Sequence, residues 1–483
     1  MTRRFEPLKL AGLSGLLAVA AAIPSAAQPT AQTHAVGSLA RVPAITMPAV
    51  DTAGLLAEDA TREQEGLPER FAQSFPVELT PANAGRWETV GADALWRLRI
   101  TSPGALSLNF GFGRYRMPEG GRLYVYSPDF KRLVGPFTAA DNEEHGQLWT
   151  PILWGDDLVI EVTVPAARKA ALDLALTAVN HDYRGFGRPN LDKIVRSGSC
   201  NVDVVCSTGE PWRREIRAVG VYTLSGSFDC TGSLVNDSAR DFKSYFATAR
   251  HCGANSASTA ATVVVYWNFQ NSTCRGIPGG AGTGDGQLTQ FNSGAFFRAS
   301  NSPSDFTLLE LDDPVLPRAK AFWAGWSSAN VEATSGAAIH HPNTDEKRIT
   351  LFSTPTTTTS YNNPASPGNG THVHAVWSLG VTEPGSSGSP LYDQNRRYIG
   401  QLHGGPSACG ASDLSDYYGR FSVSWLGGGT AATQAKAWLD PANLGLVTLD
   451  GGQRAFTAAD FDGNGKSDAM LYRNGTWMKS AIP

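Results

Sequence analysis

All six cysteines of this 483-residue chain lie between Cys200 and Cys409, and none precedes them. No other single feature constrains the fold as much. In an oxidising compartment an even set of cysteines is a disulfide framework. A thiol-free front followed by a stapled back describes two different domains, and the length itself calls for two or three.

The first residues predict such a compartment. "MTRRFEPLK" is short and basic, and "LAGLSGLLAVAAAI" is apolar but too short to span a bilayer comfortably. Small Ser25 and Ala27 then precede a cut site. This reads as a signal peptide over 1–27, so the mature chain is expected outside the cell. Residues 28 to about 68, rich in Ala, Pro and Thr, read as a flexible lead-in. From about 70 to 185 come short alternating runs such as "WRLRI", "RLYVYS" and "DLVIEVTV". Their period is that of half-buried strands, which predicts a β-sandwich of jelly-roll type. A turn-rich stretch near 186 separates it from renewed strands over 194–450, and 451–483 forms a third segment. With 51 Gly, 29 Pro and only 17% charged residues, the composition suits mostly β folds. A net charge of −4 without a Lys/Arg run gives no reason to expect nucleic acid or a membrane as partner.

The chemistry centres on "TEPGSSGSPLYD", residues 382–393, which is either a solvated loop or a nucleophile turn. A nucleophilic serine needs a base and a group that orients the base. His251 follows the apolar run in "SYFATARHCG", and Asp305 heads the one in "SPSDFTLLEL". The order His251, Asp305, Ser387 is that of chymotrypsin-type triads and not of α/β-hydrolases. Ser389 stands where a nucleophile elbow needs glycine, which disfavours an esterase. Gly385 and Gly388 flank Ser387, allowing the N–H groups of Gly385 and Ser387 to converge on an oxyanion.

"TARHC", "SDFTLLEL", "GVTEPGSSGSP", "GQLHGGPSAC" and "AIHHPNTDEKRI" together resemble the bacterial secreted lysyl endopeptidases, over about Ser197 to Asp450. The preceding β domain resembles their proregion, with weaker motifs. The resemblance implies a chymotrypsin-like double β-barrel with His251 as base, Asp305 orienting it and Ser387 as nucleophile, and no cofactor for catalysis. It implies the pairs Cys200–Cys409, Cys206–Cys274 and Cys230–Cys252, which sequence alone cannot choose among fifteen arrangements. Common trypsins carry the specificity acid six residues before the serine, where this chain has Val381. The family takes it from a later segment, here "SDYYGR", which nominates Asp416 over the nearby Asp413. The family also stacks a Trp near a His corresponding to His403, and here Tyr361 is the nearest aromatic. Cutting after Lys193, with Arg196 as runner-up, is expected to separate propeptide 28–193 from the protease.

The tail spaces Asp460, Asp462, Asn464 and Asp468 as oxygen ligands around a glycine turn, a calcium-capable pattern resembling a single FG-GAP/VCBS repeat. The expected activity is hydrolysis of proteins and peptides after lysine, with the chain's own propeptide as partner. A broader Lys/Arg protease is the near alternative. A catalytically dead secreted binding protein is the distant one, disfavoured by retention of all three triad residue types.

Overall fold

The computed structural model describes residues 28–187, 197–276 and 284–454, and the backbone of 470–473 and 476–479. The leader, Lys193, Arg196 and the acidic positions 460–468 lie outside the described residues.

Two sheets build the front domain. One runs in the order Ala44–Thr46, Asp93–Thr101, Asp157–Pro165, Arg122–Tyr126, Leu133–Phe137, with Arg86–Val90 also on Asp93–Thr101. The other runs Leu153–Trp154, Ser107–Arg116, Asp173–Asp182, Ala72–Leu79, with Leu148–Trp149 on Ser107–Arg116. Trp96, Leu98, Phe110, Phe112, Ile160 and Leu176 fill the space between them.

The lead-in is not a loose tether, contrary to its composition. Residues Ala44–Thr46 add a parallel edge strand to Asp93–Thr101. Buried Glu161 on the sheet's outer face needs donors, and the Thr30 N–H (2.6 Å) and Tyr126 hydroxyl (2.7 Å) provide them. Thr52–Gln64 is a 13-residue helix capped by Asp51, whose carboxylate accepts the Gly54 N–H at 3.0 Å. Its sequence lacks an apolar stripe because it is anchored by ions instead. Buried Asp59 pairs with Arg70 (2.8 Å) and Arg184 (3.1 Å).

The back domain is a chymotrypsin-like double β-barrel. The first sheet joins Val219–Leu224, Phe228–Leu234, Tyr245–Ala249, Val264–Trp267, Phe291–Ser293, Ala295–Asn301 and Phe306–Leu311. The second includes Gly336–His340, Arg348–Phe352, His372–Val376, Pro390–Asp393, Tyr398–Gly404 and Ser415–Arg420. Ala247, Phe306, Trp326, Ile339, Tyr398 and Phe421 form the core shared by both. "SDYYGR" is a strand, and the following Phe421–Leu426 is helical. Phe421 packs on Phe306, Trp326 and Tyr398, a demand that outweighs the β-prone composition.

The domains are sewn together beside the barrel junction. Glu69–Arg70 pairs antiparallel with the start of Phe228–Leu234, matching Arg70 to Phe228 and Glu69 to Asp229. Phe71, Trp149, Phe186, Val221, Tyr266 and Phe269 bury a joint apolar core.

Candidate active site

His251 begins the turn after Tyr245–Ala249, where Cys252 ties it to Cys230 in the neighbouring strand. Asp305 lies just before Phe306–Leu311 with φ +49°, a left-handed conformation that Asp tolerates better than most residues. It is held from both sides. The Arg250 N–H donates to its carbonyl at 2.9 Å, and Gln401 Nε2 donates to the Ser304 carbonyl at 2.6 Å. Its carboxylate then accepts the His251 N–H through Oδ1 (2.8 Å) and faces His251 Nδ1 through Oδ2 (2.7 Å). Burial alone raises the Asp305 carboxyl. The charge and hydrogen bonds of His251 outweigh it and hold the group below its ordinary range.

The three serines of "GSSGS" separate by burial. Ser386 and Ser389 are fully buried, whereas Ser387 is half-buried and lines the cleft. Ser386 is spoken for, its hydroxyl lying 2.8 Å from Nδ1 of buried His340. The Ser387 carbonyl accepts the Thr231 N–H at 2.8 Å and the Gly388 N–H donates to the Leu402 carbonyl at 2.8 Å, which pins the turn between the barrels. Gly385 (φ +84°) and Gly388 (φ +82°) adopt left-handed backbone there, and a Cβ on Gly388 would lie 2.4 Å from the Thr231 carbonyl. Among the described residues, the N–H groups of Gly385 and Ser387 have no acceptor, and no hydrogen bond joins Ser387 Oγ to His251.

Asp416, in Ser415–Arg420, is fully buried. Three donors crowd one of its oxygens: Trp377 Nε1 (2.6 Å), Ser407 Oγ (2.6 Å) and Thr382 Oγ1 (2.7 Å), all on Oδ2. Oδ1 has no partner among the described residues and lies beside Gly405 of the cleft wall, where a Cβ would come within 2.4 Å of it. Burial raises the Asp416 carboxyl to about 6 against these hydrogen bonds. Asp413 is exposed and accepts the Ser415 hydroxyl at 2.6 Å.

Tyr361 stacks on His403 with ring centroids 3.6 Å apart and planes at 7°. On its other contacts, the His403 ring lies 5.3 Å from that of His251. His251, Asp305 and His403 bring ligand-type atoms within 4.8 Å of one another. The two imidazoles are stacked at 19°, however, so their in-plane lone pairs do not converge on one ion. Sequence reasoning missed His372, whose Nε2 is 2.9 Å from His403 Nδ1, and the Asp416 donors Trp377, Thr382 and Ser407. It also missed Glu69, whose carboxylate lies against Gly385. The sulfurs join Cys200 to Cys409, Cys206 to Cys274 and Cys230 to Cys252.

A double β-barrel with His251, Asp305 and a cleft-facing Ser387 at its junction defines the class of chymotrypsin-like serine proteases. Residues 194–419 match the model of the lysyl endopeptidase C-terminal domain, and residues 49–183 match that of the lysyl endopeptidase N-terminal domain. Both domains are thus matched, in order, by models of the lysyl endopeptidase family. A lysyl endopeptidase of Pseudomonas aeruginosa strain PAO1 is 33% identical over 292 residues. That match spans 57% of this chain and 61% of the relative, less than two thirds of its length. Among solved structures, a thermostable serine protease AL20 from an extremophilic microorganism aligns with TM-score 0.31 and 14% identity, over 43% of this chain and 92% of that one. The HtrA-type protease AlgW with a tripeptide aligns with TM-score 0.30 and 17% identity, over 44% and 60%.

Proposed function

We propose that this chain is a secreted serine endopeptidase that hydrolyses bonds on the carboxyl side of lysine and is made as a latent precursor. In this reading Ser387 Oγ attacks the scissile carbonyl while His251 Nε2 takes the hydroxyl proton. Asp305 holds the imidazole and balances its charge, and the Gly385 and Ser387 N–H groups receive the oxyanion. The proton passes to the leaving amine, and water then hydrolyses the acyl-enzyme by the same route in reverse.

The observation that carries the lysine reading is the asymmetry of Asp416. With Oδ2 saturated by three donors, one oxygen remains, which suits a point-charge ammonium. A guanidinium fork needs two. Latency is supported by the front domain, whose Asp59–Arg70 segment lines the same cleft as Ser387 and His403. Glu69 there lies beside Gly385, on the side where a Cβ of that residue would stand. Release follows cutting in the linker, at Lys193 in this reading. An inserted amino terminus has no role, because the position before the nucleophile is Ser386, already paired with His340. Calcium held by Asp460, Asp462, Asn464 and Asp468, in an FG-GAP/VCBS-like tail, is a separate part of the proposal and rests on sequence alone.

The test is labelling with an organophosphorus fluoride. The processed protein is expected to lose one equivalent of activity per phosphonyl group on Ser387, with no labelling in His251→Ala. Absence of labelling in the native protein contradicts the reading.

A further inference from the structure

We infer that His372 is a positioning residue that locks His403 into its Nδ1–H form and so reserves the Asp305 carboxylate for His251. The inference rests on the protease reading above for its kinetic consequence, while the hydrogen-bond assignment stands without it.

The assignment begins outside the cleft, at Asn369. Its side-chain oxygen accepts the Thr371 N–H at 3.1 Å, which fixes the orientation of the amide. The same oxygen lies 2.6 Å from Thr371 Oγ1. An amide oxygen has no hydrogen to give, so the one hydroxyl proton of Thr371 lies on that bond. His372 Nδ1, 2.8 Å from the same Oγ1, must therefore be the donor to it. Burial holds His372 neutral, lowering it to about 4 with the neighbouring His403 adding to the effect. A neutral imidazole protonated on Nδ1 carries its lone pair on Nε2. That atom is 2.9 Å from His403 Nδ1, which must then donate.

His403 is also held neutral, lowered to about 4 chiefly by burial. Its remaining nitrogen, Nε2, thus bears a lone pair, and it is this atom that stands 3.7 Å from Asp305 Oδ2. The same oxygen lies 2.7 Å from His251 Nδ1. Were His403 to carry its proton on Nε2, two imidazoles would compete for one carboxylate oxygen. The chain Asn369, Thr371, His372, His403 removes that competition. The titratable groups facing His403 are His251 and Asp305 from the first barrel, with His372 and Tyr361 from the second. The front domain's Glu69 and Arg70 line the cleft beside them.

The direct test is nitrogen-15 NMR of the full chain labelled on histidine, with Ser387→Ala preventing self-digestion. Long-range proton–nitrogen correlations are expected to show His403 as Nδ1–H, and as Nε2–H in His372→Phe, which keeps a ring but has no acceptor. An Nε2–H His403 in the unsubstituted background overturns the inference, whatever the fate of the variant. Kinetics of the processed enzyme supply the second readout. His372→Phe is expected to lower kcat about tenfold with KM unchanged. Because Asp305 then supports the His251 imidazolium less, the acid limb of kcat/KM moves to lower pH. His372→Gln, whose side-chain oxygen can accept the His403 proton, is expected to restore both. An unchanged pH profile in His372→Phe contradicts the positioning role. A native enzyme that cuts nothing refutes the protease reading and leaves the NMR result intact.

Discussion

Asp416 and its three donors set the specificity argument at the scale of single residues. Removing one donor by Trp377→Phe opens a second acceptor position on Oδ2. Cuts after arginine are then expected to rise relative to lysine, as read from competing peptide substrates. An unchanged ratio contradicts the one-oxygen account. The pH dependence follows from the same burial. A carboxyl raised to about 6 is neutral below that pH, so a simple alkylammonium inhibitor should bind well above it and progressively less as pH falls through it. The linkage for stability runs the other way, since the unfolded chain ionises this group first. Asp416→Asn is therefore expected to lose lysyl hydrolysis by about 10³-fold or more while keeping its thermal stability at pH 8. At this scale the sequence was legible where a residue's neighbours in the chain carry the signal, as in "TARHC" and "GSSGS". It was silent on His372, because the partner that gives it meaning lies 31 positions away.

Secondary-structure elements carry His251 and Asp305 to the cleft, and one of them is pinned covalently. The Cys230–Cys252 bridge closes a loop of sequence separation 22 between the strand facing the front domain and the turn that bears His251. Replacing both cysteines by serine is expected to cost about 3 kcal/mol of stability in denaturant titration. It should also lower kcat more than it raises KM, because the base and not the pocket loses its tie. Equal stability of the serine variant contradicts this role. The alternating strands of the front domain were readable because one face of each sheet meets a common core. Helix Thr52–Gln64 was not, since Asp59 anchors it through Arg70 and Arg184 and no apolar period announces it. In Phe421–Leu426 the opposite holds, its β-prone residues being drawn into a helix by packing on Trp326 and Phe306.

For the whole molecule, the cysteine map says nothing of how the front and back parts meet. The contact is a strand pairing between Glu69–Arg70 and Phe228–Asp229, more than 150 residues apart, which leaves no local trace in the chain. The proposed latency predicts that Glu69→Ala shortens the lag between secretion and activity, because it removes the carboxylate that sits against Gly385. A lag that does not change contradicts the role of Glu69. The central claim joins all three scales: one serine, one base and one buried acid confine cleavage to lysine. The most direct test is mass-spectrometric mapping of every bond cut in a denatured protein by the processed enzyme, with Ser387→Ala in parallel. The expected result is cuts on the carboxyl side of lysine only, with a rate about 10⁶-fold lower in the variant. Equal cuts after arginine contradict the pocket assignment, and cuts that persist unchanged in Ser387→Ala contradict the account as a whole.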